Sequence, residues 1–359
     1  MPTPVILSLE EFRDRLNAEM DVVLTQRAQA ADRIDPLFGE LAQTFRDYMA
    51  RSGKRLRPYL MYLGFVGYGG EAKTDDIIRA SLSQELFHNA WLIHDDIIDR
   101  DIVRHGGPNI TGVYTRKLKA RRIADAAHLA TSAALVTGDL ALSLAAELIL
   151  AAPFPAERTN AAAQCLHTVS FTETGGEMVD VLLPSIPLSS ITPERLLTMY
   201  HYKTAAYSFE LPLQVGAILA GAPDNERAGI SRLARPWGIA FQLTDDLLGT
   251  FVGEQQLGKS VLSDLREGKR TMLYLLGLQL SDATRRKRLK TLAGNPNAGY
   301  RHLAEVRTIL EQCGAKARIE ALAEDHISQT QLALEKLKIH PDVAKILHQL
   351  AEFSVHRQA

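Results

Sequence analysis

Apolar residues recur along most of the chain at the spacing of one helix face. From Leu82 they fall at Leu82, Leu86, Ala90, Ile93 and Ile97, a stripe at i, i+4, i+8, i+11 and i+15 that predicts a helix with one buried side. Thr192, Pro193 and Glu194 supply a cap, a proline for the first helical position and an acid for the first turn. A helix is therefore expected from there through Tyr200 and Lys203 towards Leu211 and Pro212. Arg235-Pro236 is expected to open another, carrying Ile239, Gln242, Leu243 and Asp246. Alternating β-branched runs between turn signals are missing. Breaks rich in Gly and Pro fall at residues 67–70, 106–108, 153–155, 184–187, 221–223 and 294–296. None forms a long low-complexity linker and no short repeat is found, so the expectation is a single all-α domain spanning residues 1–359.

Composition narrows the function classes. Hydrophobic residues make up 46% of the 359 positions and charged residues 23%, an ordinary globular mix. Lys and Arg number 41 against 42 Asp and Glu, so the net charge of -1 gives no general attraction to nucleic acid or an anionic membrane. Any anion site must be local. The basic tract Arg285, Arg286, Lys287, Arg288 and the scatter Arg116, Lys117, Lys119, Arg121, Arg122 lack interleaved aromatics and read as solvated faces, so no nucleic-acid partner is expected. Cys165 and Cys313 are too few for a disulfide framework and lack metal-ligand spacing. The most apolar stretch, residues 131–155, is interrupted by Asp139 and Glu147 and closes on Pro-Phe-Pro, which predicts a buried helix and not a membrane span. With no basic segment before an apolar run at the start, a cytoplasmic protein without stable membrane insertion is expected.

Two acidic clusters carry the chemistry. His94-Asp95-Asp96-Ile97-Ile98-Asp99 ends the helix that begins the stripe, so Asp95, Asp96 and Asp99 crowd one side of it. An isolated string of this kind is usually an exposed acidic face. Here Trp91, Leu92 and Ile93 precede it, which argues for a cleft, and oxygen ligands at this density suit magnesium. Asp245 and Asp246 repeat the theme on a second apolar helix, and two such helices can face each other across a bundle. Opposed carboxylates are tolerable only with cations and a shared anion between them; a diphosphate fits. Lys54 and Arg57, at i and i+3 in Gly-Lys-Arg-Leu-Arg-Pro, can meet one phosphate, although a solvated basic turn explains them equally well. His88 precedes Asp95 by seven residues and shares its helix face, about 20° away. Lys203 and Thr204 lie mid-helix, while Arg104, Lys259 and Lys269 follow the acidic clusters in glycine-containing stretches.

With these elements in order, the chain resembles the trans-isoprenyl diphosphate synthases, the polyprenyl synthetase family, of the short-chain farnesyl or geranylgeranyl type. The resemblance runs over residues 53–271 and rests on GKRLRP, ELFHNAWLIHDDIID, RHGGP, YKTA, FQLTDDLLG, GK and DLREGKRT. It implies an all-helical bundle around a deep central cavity, a homodimer, Mg2+, and head-to-tail condensation of isopentenyl diphosphate with an allylic diphosphate. By resemblance, Asp95, Asp96 and Asp99 form the first aspartate-rich motif and Asp245 and Asp246 the second, both holding metal ions on the allylic diphosphate. Arg104, Lys203 and Lys259 complete that cage, with Lys269 nearby. Lys54, Arg57 and His88 hold isopentenyl diphosphate without metal, and Thr204 and Gln242 lie near the reacting carbons. Three departures stand out: His105 replaces a second arginine, Gly249 replaces the last aspartate of the second motif, and Glu177 stands where glutamine is common. Asp180 matches; it and Asp264 are expected to support the metals from behind.

Product length is expected to depend on residues one and two turns before Asp95. At about 1.5 Å per residue, Trp91 lies roughly 6 Å and Phe87 roughly 12 Å below the acids, with Ala90 alongside. A bulky Trp91 predicts a fifteen- or twenty-carbon product, ordinary core packing being the competing reading. The rival functions are an HD-type metal phosphohydrolase, suggested by His88 and His94-Asp95, a non-catalytic regulatory subunit of a prenyl synthase, and a class I terpene cyclase. The first leaves Asp245-Asp246 and GKRLRP unused, the second should have lost acidic ligands, and the third lacks its magnesium triad.

Overall fold

The structure, a computed structural model, describes residues 6–51, 53–70, 74–253 and 261–356. Among these residues it is all-α apart from one hairpin, Val103–Arg104 with Gly107–Pro108. The chain divides into two compact units, Met1–Leu166 with Pro212–Pro223, and His167–Leu211 with Asp224–Ala359.

The first unit holds α1 (Leu9–Ile34), α2 (Pro36–Met49), α3 (Leu56–Gly67), α4 (Thr74–Ile98), α5 (Ile110–Ala120) and α6 (Ala126–Leu150). Ser8 opens α1 with a capping box, its hydroxyl accepting from the Glu11 amide while the Glu11 carboxylate accepts from the Ser8 amide. Asp35 then ends α1 and caps α2, and Pro36 sits at the first position of α2. The stripe on α4 is core: Leu82, Leu86, Ala90 and Ile93 are buried, each leucine contributing roughly 1.5–3 kcal/mol of burial free energy. Helices α1, α3 and α6 pack on α4. The hairpin turn places His105 (φ 53) and Gly106 (φ 71) in the left-handed region, as two-residue hairpin turns of this hand require. Helix α6 is buried along one face only. Leu129, Leu135, Val136 and Leu150 are exposed, so the expectation of a buried helix holds for half its circumference. By length and apolarity α6 could cross a bilayer, but Asp139 and Glu147 interrupt its exposed face.

Helix α7 (Ala156–Leu182) reaches the second unit from His167 onwards. That unit continues with α8 (Pro193–Tyr200), where the Thr192 hydroxyl accepts from the Arg195 amide as the cap signal predicts. The next ten residues, His201–Glu210, form a π-helix before α9 (Leu211–Ala220), so the helix expected to run on from Thr192 changes its winding midway. Helix α10 (Asp224–Phe251) runs straight through Pro236, correcting the expectation that Arg235-Pro236 opens a helix. Buried Ile230, Leu233 and Ala234 before the proline and Trp237, Ile239 and Ala240 after it carry one apolar face across, which outweighs the lost backbone bond. Then follow α11 (Ser263–Glu267), α12 (Met272–Leu280), α13 (Ala283–Leu292), α14 (Tyr300–Gln312), α15 (Ala315–Leu334) and α16 (Pro341–His356). The core around Leu196, Met199, Tyr200, Leu243, Leu273 and Ile319 joins α8, α10, α12 and α15. Trp237, fully buried, donates its indole N–H to Ser354 Oγ at 3.0 Å and so ties α16 to α10. Among the described residues, Cys165 and Cys313 form no disulfide, and Cys165 Sγ meets Gln214 Oε1 at 3.4 Å.

Candidate active site

Asp95 and Asp96 lie in the last turn of α4 and Asp99 just beyond, where its amide still bonds the Asp95 carbonyl at 2.8 Å. Asp96 is buried, whereas Asp95 and Asp99 are half-buried. The hairpin delivers Arg104 to them: Nε donates to Asp96 Oδ1 at 2.6 Å and Nη2 to Asp95 Oδ2 at 3.0 Å. Burial raises the Asp96 carboxyl to about 6 against the opposing pull of Arg104. Its second oxygen, Oδ2, is buried without a hydrogen-bond partner. A half-satisfied buried carboxylate flanked by two more is what a divalent cation with a preference for oxygen would relieve, so the residues fit magnesium.

The basic residues expected beside it also fall in the first unit. Lys54 is exposed ahead of α3, and Arg57 stands in the first turn of α3. His88 is held neutral, its pKa well below the usual value, by burial and by the charges of Arg57 and Arg104. Partial burial and Arg104 lower His105 as well. Arg57, Arg104, His88 and His105 thus share one positive field. His94 is elsewhere: its Nε2 meets the Leu135 carbonyl at 3.3 Å and stands 3.7 Å from Asp139, both on α6. The His-Asp pattern of a phosphohydrolase is not assembled. Trp91 packs edge-on against Phe87 at 6.1 Å and His94 at 6.3 Å, with Phe87 and Ala90 buried beneath. The Trp91 Nε1 is buried with no hydrogen-bond partner.

In the second unit Asp246 is buried on α10 and held at both oxygens. Gln242 Nε2 donates to Oδ1 at 3.0 Å, and the Tyr200 hydroxyl donates to Oδ2 while accepting the Met272 amide at 2.8 Å. Thr204 Oγ1 donates to Gln242 Oε1 at 2.7 Å, joining the two neutral residues expected near the reacting carbons to the acid. Gly238 makes this approach possible, since a Cβ there would stand 2.2 Å from the Ala205 Cβ. Burial lifts Asp246 to about 7, opposed by the hydrogen bonds of Tyr200 and Gln242 and assisted by the charges of Asp264 and Asp245. Asp245 itself is exposed. A Cβ at Gly249 would lie 3.3 Å from Asp264 Oδ2, so the carboxylate missing at 249 has a neighbour of the same kind.

Lys203 makes ion pairs with Asp180 Oδ2 at 2.5 Å and Glu177 Oε2 at 3.0 Å. Gly176 allows α7 to come this close, because a Cβ would meet the Lys203 amide nitrogen at 2.5 Å. Asp180, expected to support the metals from behind, is found paired with Lys203. Lys269 Nζ lies 3.6 Å from both Asp264 and Glu267. Lys259 lies outside the described residues. Among the described residues no three acidic, histidine or cysteine side chains converge on one point, Arg104 occupying Asp95 and Asp96. Sequence reasoning missed Tyr200, which reads as an ordinary core residue. It also missed Arg55 and Glu85; a carboxylate inside the apolar stripe three residues before His88 was the available signal.

The description of the polyprenyl synthetase family matches residues 39–311. The chain belongs to this family. Its members are isoprenyl diphosphate synthases, and the enzyme is a trans-prenyltransferase with their all-α fold. It is 30% identical over 309 residues to the geranylgeranyl diphosphate synthase of Sulfolobus acidocaldarius, covering 85% of this chain and 87% of that one. It is likewise 30% identical over 342 residues to the (2E,6E)-farnesyl diphosphate synthase of Mycobacterium tuberculosis, covering 92% and 89%. Among solved structures, the geranylgeranyl pyrophosphate synthase of Corynebacterium glutamicum complexed with isoprenyl diphosphate and magnesium superposes with a TM-score of 0.91 at 26% identity, over 98% of this chain and 100% of that one.

Proposed function

We propose that this prenyltransferase joins isopentenyl diphosphate to dimethylallyl, geranyl or farnesyl diphosphate with Mg2+, and stops at fifteen or twenty carbons. The reading is carried by one contrast between two kinds of anion-binding chemistry. Buried Asp96, one oxygen of which lacks a partner, and buried Asp246, beside the charges of Asp245 and Asp264, call for cations, while Arg57 and a neutral His88 share a positive field. One diphosphate is to be expelled and the other kept, and the two residue sets suit those tasks. When bound, magnesium supplies the positive charge that makes the allylic diphosphate a leaving group.

The chain's own residues do the rest. Asp95, Asp96 and Asp99 with Asp245 and Asp246 hold the metal ions, and Asp264, beside Gly249, supplies the acid that the second motif lacks. Arg104, Lys203, Lys259 and Lys269 bind the allylic diphosphate, Glu177 and Asp180 keeping Lys203 in place until it arrives. Lys54, Arg57, His88 and His105 hold isopentenyl diphosphate, leaving its double bond free to attack the allylic cation. The hydrogen-bonded Thr204 and Gln242 present neutral dipoles, which stabilise a cation without capturing it. Trp91, supported by Phe87 and Ala90, closes the channel for the growing chain.

Residues 1–359 act as one catalytic domain, a reading supported by a family match that takes in residues of both units. The exposed Leu129, Leu135 and Val136 of α6 favour a homodimer. Balanced charge and a cysteine count too low for a disulfide framework suit a cytoplasmic enzyme without nucleic-acid partners. Incubation with labelled isopentenyl diphosphate and each allylic diphosphate in turn, followed by chromatography, tests the product assignment. Labelled chains of fifteen or twenty carbons are expected; chains of forty carbons would refute it.

A further inference from the structure

Arg55 lies inside the basic turn, between Lys54 and Arg57, yet its side chain is buried, 4% exposed against the exposed Lys54. Its backbone is left-handed (φ 51, ψ 34), a conformation that crowds the Cβ of a non-glycine residue against the following carbonyl oxygen. Four acceptors hold it there. Nη1 donates to Glu85 Oε1 at 2.6 Å, Nε to Asn17 Oδ1 at 3.1 Å, and Nη2 to the carbonyls of Met49 at 2.8 Å and Arg51 at 3.1 Å. Glu85, 8% exposed, also accepts from Asn89 Nδ2 at 3.0 Å, and Asn89 bonds the Glu85 carbonyl at 2.8 Å. One guanidinium thus ties α1, the end of α2 and α4 to a single strained residue of the turn. Glu85 and Asn89 flank His88 on α4.

A buried ion pair is a poor source of stability, since apolar residues of the same volume often do as well. What the fork of an arginine adds is direction, and here it fixes where the turn stands against α4. We propose that Arg55 and Glu85 are positioning residues that hold Lys54 and Arg57 in register with His88, and so set the affinity for isopentenyl diphosphate without touching it. This rests on the assignment of Lys54, Arg57 and His88 to that substrate.

The test compares KM for each substrate, kcat and thermal midpoint in Glu85→Gln, Arg55→Lys and the apolar pair Arg55→Met with Glu85→Leu. Glu85→Gln keeps the volume and an acceptor, and the apolar pair leaves no lone buried charge, so each guards against failure to fold in the other. KM for isopentenyl diphosphate should rise about tenfold or more, with KM for the allylic substrate within about twofold, because displacement of a binding group by an ångström is that costly. A folded variant of either kind with a wild-type KM for isopentenyl diphosphate, or with both KM values raised alike, overturns the proposal. Arg57→Ala separates it from the underlying assignment. If Arg57→Ala leaves that KM unchanged, the assignment itself fails; if it raises KM while the others do not, the positioning role alone fails.

Discussion

Asp246 shows how much of the site is decided by single side chains. Burial lifts its carboxyl to about 7 from the usual 3.8, so its contribution to stability is present below about pH 4 and is lost as pH rises through 7. In chelator, the melting temperature of the wild type relative to Asp246→Asn should therefore fall as pH rises from 5 to 8, and a constant difference would contradict the assignment. Trp91 makes the second prediction at this scale. Trp91→Ala should lengthen the product by at least one five-carbon unit, read by reversed-phase chromatography; an unchanged distribution would return Trp91 to the role of core residue. The acids were legible because charge on an otherwise apolar helix demands a reason. Tyr200 was not, because a tyrosine at the end of an amphipathic helix satisfies the burial pattern whether or not its hydroxyl has a partner. Its pKa is pushed well above the usual value, so it remains a donor to Asp246.

Among the elements, cap chemistry and the α4 stripe were readable since they depend on neighbours one turn away. The π-helix at His201–Glu210 was not. Buried Thr204, Ala205, Ser208 and Phe209 recur at intervals that an α-helix would also produce, and the wider turn shows itself in the backbone, where the Leu211 amide bonds the Ala206 carbonyl five residues back. Pro236 misled for a related reason: its local signal favours a helix start, while the core on both sides favours continuity. The π-helix also carries a pH-sensitive group. Burial and the Arg235 charge lower His201 to about 4, and burial lowers His326, which Arg235 also repels while Asp325 partly offsets it. A depressed histidine pKa contributes stability above about pH 6.5 that is lost as pH falls towards 4. Melting temperature should drop over that interval, and His201→Gln should flatten the drop; an identical slope in the variant would contradict the assignment.

For the whole molecule, helical patterning was sufficient to predict an all-α chain and the ordered motifs, by resemblance, a prenyltransferase; the family match agrees. The half-exposed α6 was misjudged, because apolar composition says how much of a helix avoids water and not what covers it. If a second copy covers it, Leu135→Glu with Val136→Glu should shift the mass measured by light scattering from dimer to monomer; a wild-type mass would place the contact elsewhere. The central claim, that both aspartate motifs serve one metal-dependent coupling, is tested most directly by the rate of labelled product formation against Mg2+ concentration in the wild type, Asp95→Asn and Asp245→Asn. The account predicts no product in chelator and a rate lower by on the order of 10²-fold or more in each variant, the scale of losing one major electrostatic contact to the transition state. Wild-type rates in either variant, or phosphate released from the allylic substrate without coupling, would contradict it.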